Sequence, residues 1–183
     1  PTRRSSDLLD DWHFAAASCL GRESVNPRPT EYRTLHRQTR NYVLGSVSYS
    51  EGVNDDVNKA IWSDMDFFGE TDLKTSLLDY SRMFFYGAPA EKIADGIFML
   101  EQNWQGDPAE NPTIDFTYEL FSSLSEEYKF LNDNWRFNLC LFRAICDFLV
   151  RRRRIFELDL IDKARFLMSA GKLGEARSVL KSG

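Results

Sequence analysis

Apolar positions along most of this chain recur three and four residues apart, the spacing that lines one face of an α-helix. Leu9, Trp12 or His13, and Ala16 predict a short helix from Leu9 to Leu20, ended by Gly21. After the turn at Asn26-Pro27-Arg28, Pro29 suits the first turn of a helix running to about Arg40. Its polar side carries Arg33, His36, Arg37 and Arg40 and reads first as a solvated basic face. Asn54 or Asp55 is placed to cap the next helix, with a loop from Asp66 to Thr71 behind it. Thr71 or Asp72 then caps a helix through about Phe85, with Leu73, Leu77, Tyr80 and Phe84 as its stripe. Ile93, Ile97, Leu100 and Trp104 mark another from Pro89, and Asn111-Pro112 opens one through about Leu124. The longest predicted helix runs from about Asp133 towards Ala170. Trp135, Leu139, Phe142, Cys146 and Leu149 form one apolar face, widened by Phe137, Leu141, Ile145 and Phe148, so burial on most sides is expected. Leu173 to Leu180 gives a last short helix after Gly171.

One stretch breaks the pattern. Tyr42 to Tyr49 is β-branched and aromatic, interrupted by Gly45, with Val43 and Val47 facing one way and Leu44, Ser46 and Ser48 the other. It reads as a strand with neither face charged, as in a parallel sheet or barrel. Such a strand needs neighbours for its backbone groups, and nothing else in the sequence reads as strand. The expectation is that the chain is a fragment whose N-terminal part is missing. Residues 1–8 point the same way: their codons can be written as the end of a common sequencing-adapter primer, which makes them an expected assembly artefact.

Composition adds limits. Apolar residues are 43% of the 183-residue chain and charged ones 28%, ordinary globular values that allow one sizeable core. No run has the length of a membrane span and no signal peptide is visible, so a soluble chain with no membrane partner is expected. The formal charge of −5 argues against a general nucleic-acid role. Arg151 to Arg154 are taken as a solvated or salt-bridged helix segment, with Glu157 and Asp159 close by. Cys19, Cys140 and Cys146 lack framework spacing and read as free, buried thiols. The sequence implies no cofactor and no metal, and the compartment stays open.

The candidate chemistry sits where the strand ends, at Glu51-Gly52-Val53-Asn54-Asp55-Asp56. Acidic groups at a strand's C-terminal end, followed at once by a helix, are how α/β barrels and open sheets present polar groups to ligands. Three readings are open. Glu51 is a carboxylate that activates water or binds sugar hydroxyls, with Asp55 or Asp56 assisting; glycoside hydrolysis needs a second carboxylate across the bond, and that partner falls in the missing part. Alternatively Glu51, Asn54, Asp55, Asp56 and Asn58 hold a hard cation, although the spacing is not that of an EF-hand. Or the cluster only caps the helix and hydrogen-bonds the loop.

The run from Tyr49 to Trp62 resembles the YSEG-x-NDD-x-NK-x-x-W segment of large, poorly characterised bacterial proteins similar to glycoside hydrolases. Further matching segments follow in order: Asp79 to Phe85, Leu100 to Gly106, and Asn134-Trp135-Arg136-Phe137 on to Arg143-Ala144. Together they span about Pro27 to Ala170. The resemblance implies a (β/α)8-type barrel followed by a helical, bundle-like C-terminal domain, so that the fold expected here is mainly α. Residues 9–66 would be the remnant of the last β/α units of the truncated barrel, and 67–183 the helical domain, cut short at its end. It further implies Glu51 as the catalytic carboxylate, Tyr49, Asn54, Asp55 and Asp56 as substrate-binding residues, carbohydrate as the ligand of the intact protein, and no activity for the fragment alone. Trp104 and Trp135 would then be available to stack on sugar rings, but the stronger expectation for both is a buried core position. The rival reading is a helical interaction or scaffolding module with no enzymatic activity.

Overall fold

A computed structural model describes residues 25–46, 54–69 and 71–182. Its architecture is mainly α: α1 (Pro29–Thr39), α2 (Asp56–Phe68), α3 (Leu73–Phe84), α4 (Ala90–Gln102), α5 (Thr113–Glu127), α6 (Trp135–Ser169) and α7 (Leu173–Lys181). Short 3-10 turns cover Arg40–Tyr42, Pro108–Glu110 and Lys129–Asp133. The helix reading of the sequence therefore holds from Pro29 onward. The helix expected over residues 9–20, and Cys19 within it, lie outside the described residues, as does the 1–8 segment.

Local chemistry accounts for several helix ends. The Asp72 carboxylate accepts from the Thr75 N–H at 3.1 Å and starts α3. Asn134 starts α6 by accepting from Arg136 N at 3.0 Å, and its amide also donates to Phe84 O at 2.6 Å, tying that start to the end of α3. Asp55 is the residue before α2, but no capping bond from its side chain forms. Gly171, with φ of 78°, closes α6 in the left-handed conformation and turns the chain into α7.

The helices share one core. Ile61, Trp62 and Met65 from α2 meet Leu73 and Leu77 from α3, Ile93 and Ile97 from α4, Phe121 and Leu124 from α5, and Phe137 and Ala144 from α6. Gly96 lets α4 and α5 close: a Cβ built on it would stand 2.9 Å from Phe121 Cζ. The far half of α6 leaves this core and pairs with α7, where Ala164 and Ala176 are the buried contacts.

Four expectations need correction. From Tyr42 to Ser46, the described part of the expected strand, the chain is a 3-10 turn and coil; among the described residues there is no strand with which it might pair. The expected Asp66–Thr71 loop begins later, because α2 continues through Phe68. His36 is buried rather than solvated, since the Trp62 ring packs edge-on against it at 5.1 Å. Trp104 and Trp135 are exposed, at 62% and 41%, rather than core. The outward position of Trp135 belongs to a wider reversal on α6: Phe137, Cys140 and Ala144 face the core, while Phe142 and Leu149 face solvent.

Candidate functional site

Of the residues expected to form a site, Tyr49 and Glu51 lie outside the described residues. Asn54 and Asp55 sit half-buried in the turn before α2. Asp56, in the first turn of α2, joins a network the sequence does not announce. Arg136, eighty residues away on α6, donates to both carboxylate oxygens, Nε to Oδ2 at 2.7 Å and Nη2 to Oδ1 at 3.2 Å. The Tyr80 hydroxyl from α3 donates to Oδ2 at 2.6 Å. The Arg136 guanidinium is itself held between rings, 3.8 Å from the Phe84 centroid and 4.1 Å from that of Trp135.

This arrangement ties three helices together through one carboxylate. Burial, followed by the bond to Asp56, raises the Tyr80 hydroxyl above its ordinary pKa, so the phenol stays protonated and donates. Burial likewise pushes the Cys140 thiol up to about 12, with the Asp56 charge adding to it, and leaves a protonated, unreactive thiol. A ligand that used Asp56 would have to displace a forked arginine bond. The geometry is that of a structural junction.

A second polar junction surrounds Arg143, which is buried on α6. Its Nε donates to Asp147 at 2.7 Å and its Nη1 to the Val25 carbonyl at 2.8 Å. Asn103 donates to the other Asp147 oxygen at 3.0 Å, and Thr117 donates to Asn103 at 3.1 Å. Burial lowers the arginine's pKa from its ordinary value while Asp147 opposes that shift, and the group remains a cation. Its guanidinium lies 4.0 Å from the Trp104 ring centroid, so one face of that exposed indole is covered and the ring is held in place.

Trp104 stands at the rim of an open cleft of about 1080 Å³ formed by α1, the end of α4 and the loop before α5. The polar residues along its walls include Arg28, Glu31, Glu101, Gln105 and Asn111, beside apolar surface from Phe98, Trp104 and Pro112. Glu101 accepts from the backbone N–H groups of Thr30 and Glu31, both at 3.0 Å, and so fixes the start of α1 as one wall. Glu101 and Asn111 use their side-chain groups on the neighbouring backbone, so Glu31 and Gln105 are the polar wall groups beside a fixed, half-open indole that suits the apolar face of a polyhydroxylated ligand.

A smaller hollow of about 390 Å³ is lined by Val43, Leu44 and Ser46 together with His36, Trp62 and Asp66. His36 Nε2 is 2.9 Å from Asp66 Oδ1, the Ser46 hydroxyl donates to the other Asp66 oxygen, and Trp62 Nε1 donates to Ser46 Oγ at 2.7 Å. Serine, histidine and aspartate are together, but the carboxylate stands between the other two. A nucleophilic serine needs the imidazole in the middle to take its proton, so this trio cannot work as a hydrolase triad. Among the described residues no group of three or more acidic, histidine and cysteine side chains is placed to hold a metal ion; Glu51, the first residue of the hard-cation reading, lies outside them.

The four arginines 151–154 all meet carboxylates: Arg151 and Arg152 reach Asp115 at 3.1 and 3.8 Å, Arg153 reaches Glu157 at 2.7 Å, and Arg154 reaches Asp107 at 3.0 Å. The salt-bridged reading of this run holds. No described helix is long and apolar enough to cross a membrane. Sequence reasoning missed Arg143 and His36 as buried groups and Arg136 as a half-buried one. The partners of Arg136 and His36 are distant in sequence and no spacing rule signals them, whereas Arg143 and Asp147 stand at the i,i+4 spacing of a helical ion pair. Comparison with protein-family models, curated proteins and solved structures returns no match for the chain.

Proposed function

We propose that this chain is the C-terminal part of a bacterial glycoside-hydrolase-like protein, with a helical domain that braces a barrel and adds to its carbohydrate site. Within it the segment around Glu51 supplies an acidic loop, with Glu51 as the catalytic carboxylate and Tyr49, Asn54 and Asp55 as contacts. The remnant of the last β/α units then precedes the helical bundle. The observation that carries the carbohydrate reading is the cleft at Trp104, with its arginine-backed indole and its amide and carboxylate walls. Exposed Tyr42, Val43, Leu44, Phe67 and Phe68 support a covering barrel, because they place apolar surface at the C-terminal ends of α1 and α2.

The test has two parts. The chain as it stands is titrated with a panel of neutral oligosaccharides, following Trp fluorescence. Saturable binding that Trp104→Ala weakens at least ~10-fold, with unchanged circular dichroism, is the expected result. Glu51→Gln is then made in the protein that includes its upstream region, where loss of hydrolysis with an unchanged melting curve is expected. Absence of oligosaccharide binding together with retained turnover would overturn the reading and leave the helical scaffolding module in its place.

A further inference from the structure

Charge is unevenly distributed around the cleft at Trp104. Glu31, Glu101, Asp107 and Glu110 line it, and Arg28 is the cation among its walls. Each positive feature of the site is already met by one of these carboxylates. Arg28 Nη1 lies 3.2 Å from Glu31. The first N–H groups of α1, the positive end of that helix, donate to Glu101. Arg154, on α6, meets Asp107 at 3.0 Å. That bond, with the Ala109 N–H adding to it, holds the Asp107 carboxyl below its ordinary pKa, so its charge persists into mildly acidic solution. Glu110 is exposed at the end of its 3-10 turn and pairs with no cation among the described residues. Four carboxylates thus stand against two guanidinium groups, and the surplus is negative. The indole already has one face against the Arg143 guanidinium, at 4.0 Å. A second cation over its open face would meet the repulsion of the first, so the ring suits C–H surface and the carboxylates suit charge.

We propose that the ligand of this cleft is an amine-bearing sugar, a glucosamine-type oligosaccharide. A ring face of the sugar packs on Trp104, and its protonated amino groups answer the surplus carboxylate charge. This rests on the carbohydrate reading of the cleft and narrows it. A sugar acid is disfavoured on the same grounds. The helix start and the two arginines that would attract its carboxylate are taken by Glu101, Glu31 and Asp107, and its entry sets like charges together. A neutral sugar keeps the ring contact but gains nothing from the charge. The cleft is open to water, so each charge pair contributes little and the preference for the amine is modest and screened by salt.

The chain is titrated at about pH 5.5, where a sugar amine is protonated, following Trp fluorescence. The probes are a β-linked glucosamine oligomer, its N-acetylated counterpart and a uronate oligomer of similar length. The glucosamine oligomer should bind at least ~5-fold more tightly than its N-acetylated counterpart, and the advantage should vanish in ~1 M salt. Trp104→Ala should weaken both. Glu110→Gln should reduce the ratio between them, whereas Glu126→Gln, which removes an exposed carboxylate of α5 outside the cleft, should leave the ratio unchanged. Equal effects of the two glutamine variants would overturn the proposal by tracing the preference to the overall charge of the chain. An N-acetylated or uronate oligomer that binds as tightly as the amine would overturn it while leaving the carbohydrate reading in place. Binding of none of the three would overturn both.

Discussion

Removing Asp56 tests whether its carboxylate holds the fold or waits for a ligand. The ion pair with Arg136 is forked, and each side chain is 22% exposed. With charge centres ~4 Å apart and an effective dielectric of ~20, the attraction is ~4 kcal/mol. Residual solvent contact and the cost of desolvating both groups reduce the net worth of the pair well below that. Asp56→Ala, however, also leaves the Arg136 guanidinium between the Phe84 and Trp135 rings without its anion, and the buried Tyr80 hydroxyl without an acceptor. Stranding one partner of such a pair costs ~3 kcal/mol, and the orphaned hydroxyl adds ~1 kcal/mol. The expected loss is ~3–4 kcal/mol, or a melting temperature lower by ~10 °C for a chain of this size.

Arg136→Ala should cost ~3 kcal/mol, and the double variant much less than the sum, with a coupling of ~2 kcal/mol. Urea unfolding of the four proteins, followed by far-ultraviolet circular dichroism, measures the cycle. Asp56→Asn keeps an acceptor for Tyr80 and should fall between wild type and Asp56→Ala. Two results would refute the reasoning: single losses that add within ~0.5 kcal/mol, or an Asp56→Ala protein as stable as wild type. The second outcome would point instead to a ligand-binding carboxylate, since such groups are commonly neutral or unfavourable for stability.

Two further outcomes follow from the packing and the buried thiol. Gly96→Ala gains ~1 kcal/mol in helix propensity but drives a methyl to 2.9 Å from the buried Phe121 ring and 3.1 Å from Leu120 Cδ2. A net loss of ~1 kcal/mol is expected by urea titration, whereas Gly174→Ala on α7, with nothing within 4 Å, should gain ~0.5 kcal/mol. The Cys140 thiol has an ordinary value of 9.0 and is raised to about 12 in the fold. The protonated form is therefore the one that folding favours: its contribution is complete below pH 9.0 and is lost as pH rises towards about 12. Tyr80, also raised, acts in the same direction from its ordinary 10.0 upward. Thermal melts between pH 8 and ~11 should show stability falling with pH, and Cys140→Ala should flatten the first part of that fall.

The helices were legible because each carries one apolar stripe with a breaker at its end. Asp72, the glycine and proline turn at 87–89, and Asn111-Pro112 mark boundaries that the fold uses. Orientation was less legible. The first half of α6 has apolar residues on two faces, and periodicity alone cannot say which faces inward. Phe137, Cys140 and Ala144 win because their smaller and flatter set fits against Phe121 and Phe85, while Phe142 and Leu149 remain outside. His36 was misread for a similar reason: it looks like part of a basic face until Trp62 from another helix closes over it. The strand reading of 42–46 gave way to a 3-10 turn and coil, a reminder that β-branched residues favour a pleated surface only where a neighbour supplies one.

The polar residues in the segments 54–62, 79–85, 100–106 and 134–144 repeatedly end at helix junctions. Asp56, Tyr80 and Arg136 come from three of those segments and meet in one network; Asn134 bonds back to the end of α3. Asn103 and Arg143 converge on Asp147, and Asn58 donates to Asn26 O at 2.9 Å and accepts from Arg28 N at 2.7 Å. A spacing of polar residues that looks like chemistry is thus sufficient to build an architecture: buried helix contacts need satisfied polar groups just as active sites do. This bears directly on the acidic cluster. Asp56 has a protein donor on each oxygen, so in the proposed reading the chemical burden of the cluster shifts to Glu51. The Asp56 cycle and the Glu51→Gln assay should then separate cleanly, one changing stability without turnover chemistry and the other turnover without stability.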